Sequence, residues 1–128
     1  MIDYLTILEN IKPEHLEGFF VGWKHPLSPE QLYQILRNSS YFVLAYDTEM
    51  KRVVGFVNVL SDVVNFAFIP MIEVLPAYQK RGIGTELMKR ILHILSHISC
   101  IDLTCDVDMQ SFYERFGMVE SNGMMIRK

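Results

Sequence analysis

Two glycines spaced two apart follow a pair of cations in Gln79-Lys80-Arg81-Gly82-Ile83-Gly84-Thr85, and this run carries the clearest chemistry of the chain. Upstream, Val74-Leu75-Pro76-Ala77-Tyr78 reads as a strand stopped by proline; downstream, a long amphipathic helix begins. Glycine lets a backbone approach a ligand closely, and the first N–H groups of a helix have no partner within it. With the helix dipole and with Lys80 and Arg81 they form an anion site, for which a pyrophosphate is the natural occupant. The dinucleotide fingerprint G-x-G-x-x-G fails because Leu87 stands at the third glycine. A phosphate loop of the G-x-x-x-x-G-K-S/T kind is absent. His93 and His97 share a helix face at i, i+4, but no third ligand follows at zinc-like spacing, so no metal site is expected.

The elements that must position this run are legible as alternating and helical patterns. Residues 2–8 read as a strand. Pro13 then opens a helix with Leu16, Phe19, Phe20 and Trp23 on one stripe. Ser28-Pro29-Glu30-Gln31 caps a second helix, which buries Leu32, Ile35 and Leu36 and ends at Asn38-Ser39-Ser40. Residues 41–46, 53–60 and 65–75 are strand-like, the last broken by Pro70, which demands an edge, a bulge or a splay. A long helix over 82–97, a buried strand over 100–105, a short helix over 109–116 and two closing strands over 118–120 and 124–127 complete a mixed α/β order.

Length and charge narrow the function classes. The 128 residues, half of them hydrophobic, suit a single domain over residues 1–128 and argue against disorder. No apolar run reaches the ~20 residues of a membrane span, and Met1-Ile2-Asp3-Tyr4 lacks a basic secretory start, so a cytoplasmic protein without a membrane partner is expected. Cys100 and Cys105, five apart in a strand and so ~16 Å from each other, are too distant for a disulfide and read as small buried hydrophobes. Residues 79–90 carry +3 from Lys80, Arg81, Lys89 and Arg90 against Glu86; the net of −3 therefore leaves −6 for the rest. A small basic island in an acidic body is a poor nucleic-acid footprint, so no nucleic-acid partner is expected. It suits a compact anion, with surroundings that attract a cation.

The combination of strand, Pro76, Tyr78, Gln79-x-x-Gly82-x-Gly84 and helix resembles the GNAT superfamily of N-acetyltransferases, whose acyl-CoA signature is Gln/Arg-x-x-Gly-x-Gly/Ala. The segment Asp106-Val107-Asp108-Met109-Gln110-Ser111-Phe112-Tyr113-Glu114-Arg115-Phe116-Gly117-Met118 resembles the second hallmark, a Tyr on a short helix before Gly-Phe. The resemblance spans essentially the whole chain. It implies the acyl-CoA N-acyltransferase fold: a central, mixed, mostly antiparallel sheet with splayed fourth and fifth strands and about four helices. It also implies acetyl-CoA as co-substrate, no metal, and a primary-amine acceptor, a small molecule, polyamine or peptide amine. Gln79, Lys80, Arg81, Gly82, Ile83, Gly84 and Thr85 would cradle the pyrophosphate. The strand at Ile72 and Val74 would pair with pantetheine, with the Ile72 region polarising the thioester carbonyl; losing one such donor can cost ~2.7–4 kcal/mol. Tyr113 would protonate the departing thiolate.

The chain departs from the family pattern in places. Lys80 stands where Gly is frequent, Met118 where Phe is usual, and Asp106 where an Asn often touches the cofactor. Phe66, Phe68 and Pro70 occupy the strand where a carboxylate base would stand, which leaves Glu73 as the acid of that strand and His25 as a fallback base. Trp23, Lys24 and His25 are candidates to line the acceptor pocket. A lysine-like amine is neutral only about 0.04% of the time at pH 7, whereas an α-amine near ~8 is neutral about 10% of the time. A site without an obvious carboxylate base therefore leans towards low-pKa amines or towards deprotonation through ordered water, while the acidic surroundings equally suit a polyamine. An acyl-CoA-binding module without turnover is the alternative function, and either a monomer or a homodimer is compatible with the composition.

Overall fold

The computed structural model describes residues 1–128 and is built on a five-stranded sheet in the order β1-β2-β3-β4-β5. The strands are β1 (Ile2–Leu5), β2 (Tyr41–Asp47), β3 (Arg52–Ser61), β4 (Phe66–Val74) and β5 (Cys100–Asp102). The first four pair antiparallel as a meander, and β5 joins β4 in parallel after a helical crossover. This is the mixed, mostly antiparallel sheet that the family resemblance implies. The α-helices are α1 (Pro29–Asn38), α2 (Ile83–Ile94) and α3 (Gln110–Glu114), with short 3-10 turns at Pro13–Leu16, Pro76–Tyr78 and Val107–Met109.

α1 starts as its sequence dictates. Gln31 N–H donates to Ser28 Oγ (3.1 Å) and Ser28 N–H donates to Gln31 Oε1 (2.8 Å), a reciprocal cap with Pro29 in the first turn. α2 buries Ile83, Leu87, Met88 and Ile91 on one face of the sheet. It lies so close to β3 that a Cβ on Gly55 would stand 3.2 Å from Leu87 Cδ1 and 3.3 Å from the Glu73 carbonyl. On the other face Phe56 packs against Phe19 and Phe20 (ring centroids 5.2 and 6.4 Å), beside Leu32 and Leu36 of α1.

The splay of β4 from β5 follows from register. β5 pairs only with Phe66, Ala67 and Phe68, so the far side of β4 is unpaired from Ile69 onwards. On the β3 side, Asn58 faces Met71 but Leu60 faces Phe68, so β4 carries an extra residue around Pro70. Proline has no N–H for the ladder, and a bulge is where a strand tolerates it.

Three expectations fail. The helix over 13–23 is one 3-10 turn followed by loop, because Gly18, Phe20 and Gly22 take positive φ (94°, 66° and 83°) and the Phe20 N–H bonds a distant carboxylate rather than a carbonyl one turn back. Trp23 is therefore 49% exposed instead of completing an apolar stripe. Three α-helices and three 3-10 turns remain, in keeping with the expected fold. The closing strands over 118–120 and 124–127 do not form; Val119, Met124 and Ile126 are exposed, with no ladder bonds to order them. Cys100 and Cys105 are exposed free thiols, because β5 is a three-residue strand at the sheet edge and Cys105 lies in the loop beyond it.

Candidate active site

The loop between β4 and α2 is held at several points. Leu75 N–H donates to Val54 O (2.8 Å), and Gln79 Nε2 donates to Val74 O (3.1 Å). Tyr78 Oη donates to an Asp47 carboxylate oxygen (2.7 Å), and the Arg81 guanidinium sits over the Tyr78 ring at 5.0 Å. The Tyr78 bond and the Met50 and Glu49 N–H groups hold Asp47 below the usual carboxylate range, and the same bond pushes the Tyr78 phenol up.

The loop then delivers the chain to α2 through two left-handed residues. Lys80 has φ +63° and Gly82 has φ +82°. A Cβ built on Gly82 meets nothing within 4 Å, so the space beside the helix start is open. The first intrahelical bond is Glu86 N–H to Gly82 O (3.0 Å), which leaves the N–H groups of Ile83, Gly84 and Thr85 without a backbone acceptor. Three N–H groups at a positive dipole end, with Lys80 and Arg81 alongside, make a cradle chemically suited to an anion.

The splayed edge of β4 runs into this cradle. Because the Leu75 N–H points to β3, ladder alternation turns the N–H groups of Val74 and Ile72 to the unpaired side. The open edge thus offers main-chain donors at both residues.

α3 docks on the start of α2. An ideal Cβ on Gly84 would lie 3.7 Å from the Phe112 ring and 3.9 Å from Val74, so β4, α2 and α3 converge there. Tyr113 beside Phe112 is 8% exposed, and burial, helped by Cys105, pushes its phenol up, so it stays protonated at neutral pH. Arg115 closes the junction. Its Nη2 donates to Thr85 Oγ1 (2.9 Å), while the guanidinium stacks on Phe112 and Phe116 (5.0 and 5.7 Å). Sequence reasoning missed Arg115, although a cation two residues after the helical Tyr was a usable signal.

The remaining candidates divide between a cluster and scattered positions. Glu73 lies opposite Phe56, on the sheet face away from α2. Its carboxylate accepts N–H bonds from Phe20 (2.9 Å to each oxygen) and Val21 (3.4 Å), and Phe20 stacks on Trp23 (4.8 Å). Glu73 and Trp23 are thereby brought to one place. Lys24 and His25 follow as exposed residues, and Asp106 is exposed before the 3-10 turn of Val107–Met109. No group of three or more His, Cys, Asp or Glu side chains is placed to hold a metal ion, and no helix is long and apolar enough to cross a membrane.

Comparison with known proteins agrees with this fold. The sequence model of the acetyltransferase (GNAT) family matches residues 8–118. An uncharacterised N-acetyltransferase, ycf52 of Porphyra purpurea, is 31% identical over 91% of this chain and 70% of its own length. A crystal structure from Deinococcus radiodurans, assigned as an acetyltransferase, superposes with a TM-score of 0.96 at 43% identity, covering 99% of this chain and 88% of that one. A GNAT family acetyltransferase from Streptococcus pneumoniae gives a TM-score of 0.79 at 29% identity, over 100% and 98% of the two chains.

Proposed function

Because the chain belongs to the GNAT family of acetyltransferases, we propose that it moves an acetyl group from acetyl-CoA directly to the nitrogen of a primary amine. The observation that carries this reading is the docking of the Tyr113 helix onto the start of α2, where three N–H groups lack acceptors and Arg115 bridges to Thr85. These residues fit an acyl-CoA. The open space beside Gly82 admits a pyrophosphate, and Lys80, Arg81 and Arg115 supply positive charge around it.

Acetyl-CoA supplies a thioester whose C–S bond breaks as the amine nitrogen bonds the acetyl carbon. The Ile72 and Val74 N–H groups donate to the oxygens of the acyl and pantetheine arm laid along the open edge of β4. Tyr113, kept protonated by its burial, hands its proton to the leaving sulfur. A carboxylate offers about four acceptor directions; three on Glu73 are taken by Phe20 and Val21, which leaves one to receive the amine proton, directly or through a water. Glu73 therefore combines holding the 18–23 loop with one acceptor direction left for the amine proton.

The test is release of free CoA from acetyl-CoA across a panel of amines. Tyr113→Phe is expected to lower kcat by about 100-fold or more while acetyl-CoA still binds. Unchanged turnover in that variant would remove Tyr113 from the mechanism. CoA binding with no transfer to any amine would favour the non-catalytic acyl-CoA-binding module.

A further inference from the structure

A cavity of about 430 Å³ opens between α1 and the two strands β3 and β4, on the sheet face away from α2 and beside the bulge at Pro70. Met71 lines it, and Met71 is the chain neighbour of Ile72, about 3.3 Å further along the strand. Its polar lining is Gln31, Gln34, Asn38, Asn58 and Ser39, four carboxamides and a hydroxyl; the rest is apolar, and no charged side chain contributes.

Asn58 is the buried member of this set, at 1% exposure. Its Nδ2 donates to Ser39 Oγ (3.1 Å), and the Ser39 hydroxyl donates to Ile35 O (2.7 Å). The serine proton is thus spent, Oγ can only accept, and the amide is fixed with Nδ2 towards Ser39. Asn58 Oδ1 is left buried with no hydrogen-bond partner. Oδ1 has no contact with solvent, so a donor from a ligand meets it only after the Asn58 amide shifts, and the bond then made recovers a standing cost.

We propose that this cavity holds the body of the acceptor, and that the acceptor is a monoamine with an uncharged body carrying an N–H or O–H donor. The proposal rests on the acetyl-transfer reading above and names the substrate class of that site. A second ammonium, as in a polyamine, would enter without a carboxylate to pair it, and a phosphate or carboxylate without a cation; each would lose its hydration uncompensated. Carboxamides both donate and accept, which suits amide or hydroxyl groups on an otherwise apolar body.

The experiment measures CoA release with phenylalaninamide, phenylalanine and spermidine as acceptors, with thermal shift reporting acetyl-CoA binding. Phenylalaninamide and phenylalanine differ at one end by an amide against a carboxylate. Because the three amines differ in basicity, rates are compared per neutral amine across pH; so expressed, kcat/KM for phenylalaninamide should lie about tenfold or more above both others. Asn58→Leu should lower it about tenfold with the KM for acetyl-CoA unchanged. The exposed Gln34→Glu is the second variant, for which folding is not in question, and should raise the relative rate with spermidine. Preference of the wild-type protein for spermidine or phenylalanine, or Asn58→Leu and Gln34→Glu that both keep the wild-type ratios, overturns the inference while leaving acetyl transfer intact. Bound acetyl-CoA with no transfer to any amine overturns the acetyl-transfer reading and the inference with it.

Discussion

Gly82 and Gly84 stand two residues apart in one motif, yet replacing each with alanine should move stability in opposite directions. Gly82 has φ +82°, where an L-residue costs roughly 1–2 kcal/mol, part of which is offset by the stiffer unfolded chain; the net is about 1 kcal/mol. Gly84 has no such strain. It lies in the first turn of α2, and its added Cβ would make ordinary contacts with Phe112 and Val74 at 3.7 and 3.9 Å. Alanine there should gain about 0.5 kcal/mol of helix preference. For 128 residues the unfolding entropy is about 0.27 kcal/mol per degree. Gly82→Ala should therefore lower Tm by about 4 °C and Gly84→Ala raise it by about 2 °C. Calorimetry without ligand checks the pair. Repeating it with CoA at about 100 Kd should raise the wild-type Tm by about 10 °C, since binding then adds about 2.7 kcal/mol. The new methyl in Gly82→Ala projects into the open space beside the cradle and should shrink that rise at the same CoA concentration. Two variants with Tm changes of the same sign, or an undiminished CoA shift in Gly82→Ala, would refute the reasoning.

Three other outcomes follow from the same geometry. Asp47 is held below the usual carboxylate range by Tyr78, so this contact stabilises the fold above that range and is lost as pH falls through it; Tyr78→Phe should lower Tm at pH 7 and converge on wild type in strong acid. Arg115→Ala should raise the KM for acetyl-CoA about three- to tenfold, and Arg115→Lys should not restore it, because an ammonium cannot both reach Thr85 and stack flat on Phe112. Glu73→Gln keeps one acceptor oxygen for the Phe20 and Val21 amides but loses the charge, so Tm should fall by about 4 °C, from roughly 1 kcal/mol, with kcat down by less than about tenfold. A far larger loss of kcat, with acetyl-CoA binding unchanged, would make proton abstraction its main task.

Legibility in the sequence tracked the range of the interactions. The cap at Ser28 and Gln31 is written within four residues and formed as read. The stripe Leu16, Phe19 and Phe20 correctly marked buried residues but not a helix, because the Phe20 N–H finds Glu73, 53 residues away, and Gly18 and Gly22 permit the turns that reach it. Cys100 and Cys105 looked like core because β-strand composition does not say whether a strand is central or an edge. The tail beyond Met118 has strand-like residues, but a strand needs a partner, and local pattern cannot supply one.

The two ends of the candidate site differ in the same way. The cradle is one contiguous segment in which residue types fix backbone shape: Pro76 stops the strand, Gly82 supplies a left-handed turn and the helix presents its free N–H groups. Such a device reads directly from sequence. The cavity on the other face joins residues 31–39, 58 and 70–71, and its decisive feature, the unpartnered Asn58 oxygen, exists only because Ser39 has spent its proton on Ile35. Charge follows the same division. The −6 carried outside residues 79–90 acts over a Debye length of ~8–10 Å and draws any amine. The cavity proposed for the acceptor bears no charged side chain, so desolvation there would decide which amine stays. An acidic surface is thus a poor guide to the acceptor, and a polyamine can be attracted by this protein and still be rejected at the cavity.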